Sequence, residues 1–421
     1  MTRALRKARH GAVLTFVLAG LMCGTFTVRL PALADRLHLP ESAVGVTLLS
    51  WGIGALLAMQ LMRVVLARIG SRGVLRAAAP LCAASLVLVA FAPSFPVLAV
   101  AAVLFGMAFG AVDVGMNAQG SAVERAYGRP VMSGMHAGWC VGAISAGLIG
   151  TAAIALGLSL TAHILVVALL SVPAALALSR LHLPDPAPET APETAPETDE
   201  AGRASARARR RLPGVVYLLG AVTFAGFMVE GVVADWNGLY LMGTLHASEA
   251  VAALGYPVFE AGMLLARLAG DRLRGRYGAR GLIMFSGAAT ALAFLAVISA
   301  PVTVAAVAGL FFIGLSVATI SPMALSLAGT ATREPGPAIA QASAMGYAGL
   351  LLGPVVIGFL SAAASLRVAM GVAVVLGVVI AVAARLLPAS RTEIIPLPVR
   401  SASKDEDEEN EDKMVRLRTA A

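Results

Sequence analysis

Residues 97–120 read VLAVAAVLFGMAFGAVDVGMNAQG. The stretch 97–112 carries no charge, and Asp113, Asn117 and Gln119 follow at once. In water this would be a core helix with misplaced polar groups. In a bilayer, where about 20 mostly apolar residues cross the hydrocarbon core, it is a spanning helix with a polar end. Gly106, Gly110, Asp113, Asn117 and Gly120 fall at i, i+4, i+7, i+11 and i+14, which places them on one helical face. Glycines there allow another helix to approach closely, so the acid and the amide sit on a packing seam.

The remainder of the chain favours the bilayer. Of 421 residues, 58% are hydrophobic and 13% charged, against about 25% charged in soluble domains. The mean hydropathy is +0.82. The net charge of +8 does not read as nucleic-acid binding, because most basic residues flank apolar runs. Twelve spans are predicted, at 11–33, 44–66, 74–92, 97–120, 134–157, 160–180, 214–236, 249–269, 281–299, 302–327, 339–362 and 366–387. The first follows a basic arm and precedes a small-residue "ALA" at 32–34, but it is long for a secretory leader and is read as a span. Cys23, Cys82 and Cys140 lie inside apolar runs, without metal-ligand spacing, and read as buried thiols. No phosphate-cradling GxxxxGK[ST], HExxH, CxxC or GxSxG motif occurs, so neither ATP-driven chemistry nor an enzyme is indicated.

Lysine and arginine concentrate on alternate connections, and positive loops stay inside. Arg3, Arg6, Lys7 and Arg9 precede the first span; Arg63, Arg68, Arg72 and Arg76 follow the second; Arg267, Arg272, Arg274, Arg276 and Arg280 follow the eighth. Both termini are therefore expected in the cytoplasm. The stretch 182–213, with three "APET" units, reads as a disordered tether between a six-helix bundle at 1–181 and another at 214–387. The charged tail at 388–421 reads likewise. The halves echo each other. R-x-G-x-R-G occurs at Arg68–Gly73 and again at Arg276–Gly281, displaced by 208 residues, and Gly54 and Gly262 share that displacement. Duplicated six-helix halves around a midplane site are how secondary transporters are built.

On these residues the chain resembles the major facilitator superfamily over nearly its whole length. The resemblance implies an all-α polytopic membrane protein, with twelve helices in two pseudo-symmetric six-helix bundles. It implies a multi-pass position in a bacterial-type inner membrane, and a monomer. The loop "GDRLRGRYGAR" keeps the family's Gly270, Asp271, Arg276, Gly278 and Arg280; the first copy keeps Arg68, Gly70 and Arg72 but has Arg63 and Ala67 at the leading glycine and acidic positions. Within the superfamily, "RLPAL", "GMHAGWCVG", "EGVVADWNGLYL" and "GYPVFEAGM" resemble a bacterial branch similar to the fucose-permease type.

Three acids are read as lying within spans: Asp113, Glu230 and Glu260. An ionised group at mid-bilayer costs at least about 2.5–3.5 kcal/mol, so such groups face a cavity or a partner. They are the proton-coupling candidates, with hydrogen bonding to a neighbouring helix as the alternative. Arg29, Asn117 and Trp236 are the substrate-binding candidates; Arg29 could instead snorkel or pair with a buried carboxylate, and Trp236 could belong to an aromatic belt with Tyr240. Arg267 and Asp271 form an i, i+4 pair expected to clasp the cytoplasmic gate, with Arg68, Gly70, Arg72, Arg276, Gly278 and Arg280 as its latches. Gly353-Pro354 marks an expected bend in span eleven. The reading is a secondary active transporter of a small solute, working by alternating access with protons and without a cofactor. An uncoupled facilitator and a transport-fold sensor signalling through its tail are the rivals.

Overall fold

The structure, a computed structural model, describes residues 3–127, 131–184, 212–331 and 335–387. Most of the tether at 182–213 and all of the tail at 388–421 lie outside the described residues. Among the described residues, twelve helices are long and apolar enough to cross a membrane, and no strand occurs. They are α1 Arg3–Arg36, α2 Glu41–Met62, α3 Arg68–Phe91, α4 Phe95–Tyr127, α5 Gly134–Ala155, α6 Leu160–Leu178, α7 Gly214–Gly243, α8 Glu249–Gly270, α9 Arg272–Ile298, α10 Thr303–Thr330, α11 Gln341–Ala363 and α12 Leu366–Arg385. Leu57, Leu81, Leu169, Phe285, Leu292 and Val304 stand out from the bundle. Such a surface suits hydrocarbon, and helices satisfy their own backbone polar groups there.

The halves repeat each other atom against atom. A methyl group at Gly54 would collide with the Val103 carbonyl, and one at Gly262 with the Phe311 carbonyl. One at Gly106 would meet the Trp51 carbonyl, and one at Gly314 the Phe259 carbonyl. All four residues of the α2–α4 contact thus recur in α8–α10 at a displacement of 208. The α1–α5 contact of Val17 with Gly142 recurs between Phe224 and Gly349, in α7 and α11, at a displacement of 207. Helices meet backbone to backbone where lipid tails supply no drive for apolar side chains to associate.

The R-x-G-x-R-G element is a turn device. The helical run Glu41–Phe91 is interrupted at Gly70, with φ 70° and ψ 173°, and the run Gly255–Ile298 at Gly278, with φ 70° and ψ 160°. A side chain in that conformation costs about 1–3 kcal/mol. The second arginine of each copy staples its own half. Arg72 Nε donates to the Ser179 carbonyl at 3.2 Å, and Arg280 Nη2 to the Arg385 carbonyl at 2.7 Å. Both carbonyls lie at the carboxyl end of the last helix of their bundle, where backbone acceptors lack partners. Successive helices reverse direction, so both turns and both of these helix ends share one end of the molecule, the basic end; the opposite end is the far end.

Gln119, from the opening stretch, is 1% exposed. Its Nε2 donates to Ser71 Oγ at 2.8 Å and to the Leu183 carbonyl at 2.9 Å, while its Oε1 accepts from the Leu183 amide at 3.1 Å. One amide therefore ties α4 to the α2–α3 turn and to the chain leaving α6. Pro354 lies inside the helix Pro335–Ala363, and its carbonyl faces Gly45 of α2.

Gly70→Ala and Gly278→Ala should each destabilise the detergent-purified protein by about 1–3 kcal/mol. Gly281→Ala, a helical position with nothing within 4 Å of the added methyl, should be neutral or stabilising by up to about 1 kcal/mol. Thermal midpoints of the three variants check this. Gln119→Ala should cost about 1–3 kcal/mol on the same scale, because it strips both Leu183 backbone groups of their partner.

Candidate functional site

The glycine contacts that join the halves lie towards the far end. In α2 and α11, Gly45 meets Pro354 and Gly358, and Gly52 meets Leu351. In α5 and α8, Gly147 meets Pro257; in α1 and α7, Pro31 meets Gly238. Arg29 Nη1 donates to Glu249 Oε1 at 2.8 Å, an ion pair between α1 and the start of α8. Among the described residues, neither α4 nor α10 packs against the opposite half.

Beneath this seal lies a central cavity of about 290 Å³, within the range of small-ligand sites. Both halves line it. Asp113 comes from α4, Glu230 and Asp235 from α7, and Glu260 and Arg267 from α8. The aromatic walls are Trp51, Phe109 and Trp139 on one side and Tyr256, Phe259 and Tyr347 on the other. Phe109 bridges Trp51 and Trp139, with ring centroids at 5.5 and 5.7 Å. Glu260 is 4% exposed, and its Oε2 is buried with no hydrogen-bond partner. Arg267 Nη1 donates to Cys140 Sγ of α5 at 3.1 Å, a contact that crosses between the halves inside the cavity. No ion pair within 4 Å links Arg267 to a described carboxylate.

The three acids singled out in the sequence converge on this cavity. Asp235 joins them. It lies near the end of the span read from the sequence, but α7 continues to Gly243, so Asp235 sits well within the helix rather than at its edge.

The substrate-binding candidates fare differently. Arg29 is 3% exposed and engaged with Glu249, outside the cavity wall. Trp236 is fully buried; its ring packs near Gly358 where α2, α7 and α11 meet, and no face is left for stacking. Tyr240 is buried too, donating to the Val297 carbonyl at 3.2 Å, so neither ring forms an interfacial belt. Asn117 does not line the cavity. Its Nδ2 donates to the Asp113 carbonyl at 2.9 Å and to Asp113 Oδ1 at 3.2 Å, which orients the carboxylate.

The gate residues also divide. Arg267 reaches into the cavity, so it is a wall residue more than a latch, and the side chain of Asp271 lies outside the described residues. Arg68 is exposed, Arg276 lies over the Tyr277 ring at 5.5 Å, and Arg72 and Arg280 staple their own bundles. Gly70 and Gly278 provide the turns.

The comparisons with known proteins agree with this architecture. The profile of the Major Facilitator Superfamily matches residues 12–334 and, again, 219–409. An uncharacterized transporter, y4wD, of Sinorhizobium fredii is 32% identical over 387 residues, covering 91% of this chain and 99% of that protein. Membrane protein MosC of Rhizobium meliloti is 29% identical over 376 residues, with 87% of each chain covered. Among solved structures, a mutant of the nucleoside transporter NupG superposes with a TM-score of 0.70 at 15% identity, covering 90% of this chain and 99% of that one. A D-xylose–proton symporter superposes with a TM-score of 0.69 at 17% identity, covering 90% and 97%. With twelve apolar helices, a repeated glycine framework and a cavity walled by both halves, the chain belongs to the major facilitator superfamily of membrane transporters.

Proposed function

We propose that this transporter moves a small solute by alternating access, coupled to protons through Glu230, Glu260 and Asp113. The observation that carries the reading is the cavity itself: both halves wall it, the far end is packed shut, and unneutralised carboxylates stand in its wall. A carboxylate that a cavity exposes to either side in turn can take up a proton on one side and release it on the other, which is what coupling requires. Asn117 is assigned the positioning of Asp113. The loop-charge pattern supports cytoplasmic termini, a multi-pass place in a bacterial inner membrane, and a cavity that faces the cytoplasm in this state. The Arg29–Glu249 pair then holds the outward side closed. The chain is assigned to act as a monomer.

An uncoupled facilitator is the rival reading, and it predicts solute flux without any lumenal pH change.

Purified protein in proteoliposomes, challenged with pooled sugars, nucleosides, amino acids, amines and organic acids, should give a solute-evoked current and a lumenal pH change. A Glu230→Gln, Glu260→Gln double variant should lose the proton signal; a signal of unchanged size would sink the assignment of these two carboxylates. Glu249→Ala should destabilise the protein towards the low end of about 3–5 kcal/mol, because it strands a buried guanidinium while Glu249 itself retains some solvent contact. Arg29→Met, which removes the buried charge, should cost less. Thermal midpoints in detergent rank the two.

A further inference from the structure

The charge balance of the cavity wall points to a class of solute. Asp113, Glu230, Asp235 and Glu260 contribute four carboxylates against a single guanidinium, Arg267. That guanidinium donates to a thiol, Cys140, and makes no ion pair within 4 Å with a described carboxylate. It lies seven residues from Glu260 on the same helix, about 10 Å along the axis at 1.5 Å per residue. Glu260 is 4% exposed, with Tyr256 and Cys140 against its carboxyl group, and its second oxygen, Oε2, is a buried acceptor without a partner.

Such a group is costly unless something positive or something that donates hydrogen bonds comes to it. The remainder of the wall selects what that is. Trp51, Phe109 and Trp139 form a contiguous aromatic surface, and Tyr256 stacks on Phe259 with ring centroids at 6.4 Å. The faces of aromatic rings attract cations and repel anions. A carboxylate or phosphate solute would meet four like charges. A neutral solute could donate hydrogen bonds to them but would leave four carboxylates unbalanced by charge. A cationic one would be paired by carboxylate and cradled by rings at once.

We propose that the solute is a small organic cation, an amine whose ammonium group is held by Glu260 with Asp235 and Glu230 beside it, against the aromatic walls. The proposal rests on the transport reading and sharpens it. Ammonium and proton compete for the same carboxylates, so binding one releases the other, which makes the natural cycle an exchange. The groups that face these carboxylates from other helices are Cys23 of α1, Asp113 of α4, His136 and Cys140 of α5 and Tyr347 of α11. Tyr256 and Arg267 face Glu260 from its own helix. Asp235, which the sequence reading passed over, becomes a ligand of the solute.

The test is thermal unfolding of the full chain in detergent with matched triads. Each triad is a primary amine, the corresponding alcohol and the corresponding carboxylate, built on benzyl, cyclohexyl and polyol skeletons. The amine of at least one triad should raise the midpoint in a saturable way while its alcohol and carboxylate do not, and the effect should weaken as pH falls and protons occupy the site. Glu260→Gln and Asp235→Asn should each weaken the amine at least about tenfold, as expected when one partner of a desolvated charge pair is removed. Equal stabilisation by an alcohol or a carboxylate, stabilisation by no triad, or an amine effect that survives both substitutions overturns the assignment. The comparison within a triad uses the unmodified chain, so it stands even if a variant fails to fold. Flux in proteoliposomes separates this from the broader reading. Amine binding without any flux would overturn transport and leave the site, whereas flux of a neutral or anionic solute would overturn the cation and leave transport.

Discussion

Everything in this molecule depends on how closely its helices can approach. In lipid no hydrophobic force draws two apolar helices together, so association comes from backbone-to-backbone contact and the few polar groups that cross between helices. Glycines at 54, 106, 262 and 314 admit a neighbour's carbonyl where any side chain would exclude it. These four contacts bind α2 to α4 and α8 to α10, and the equivalent pair at Gly142 and Gly349 binds α5 to α1 and α11 to α7. The helices so joined are those that present Trp51, Phe109, Trp139, Glu230 and Glu260 to the centre. A tightly packed perimeter is what leaves a defined space in the middle.

The framework is symmetric but the chemistry is not. At the repeat displacements, Glu230 corresponds to Cys23, Glu260 to Gly52, Arg267 to Met59 and Asp113 to Ser321. The carboxy-terminal half holds most of the charge, while the amino-terminal half contributes small or apolar groups and one acid held by Asn117. Duplicated scaffolds keep what the backbone needs, such as Gly70 with Gly278 and Arg72 with Arg280, because both halves face the same problem of turning and capping in the same geometry. They diverge at the cavity wall, where the two halves present different groups to one shared space.

The polar contacts divide by location into those that hold a half together and those that hold the halves to each other. Gln119 with Leu183, Arg72 with Ser179 and Arg280 with Arg385 act within a half, at the basic end. Arg29 with Glu249 and Arg267 with Cys140 act between halves, one at the far end and one inside the cavity. The contacts that stiffen a half and the contacts that join the halves are therefore made by different residues.

Hydrophobic length, loop charge and an exact repeat are properties of the chain alone, and they suffice for the twelve spans and the two halves. Asp113, Glu230 and Glu260 were legible for the same reason: a carboxylate in an apolar run is conspicuous without coordinates. Which polar residues face the cavity was not legible. Arg29 and Trp236 were conspicuous on the same grounds yet are consumed by packing, one by Glu249 and one by the junction of α2, α7 and α11. Asp235 fell at the edge of the expected span 214–236 and was passed over; the continuation of α7 to Gly243 sets it well within the helix, in the cavity wall. Arg267 pointed by spacing to Asp271 and by tertiary structure to Cys140, 127 residues away. Helical period tells which residues share a face of one helix. Which helix that face meets depends on the relative rotation of all twelve, and close packing at the glycines sets that rotation only in the folded molecule.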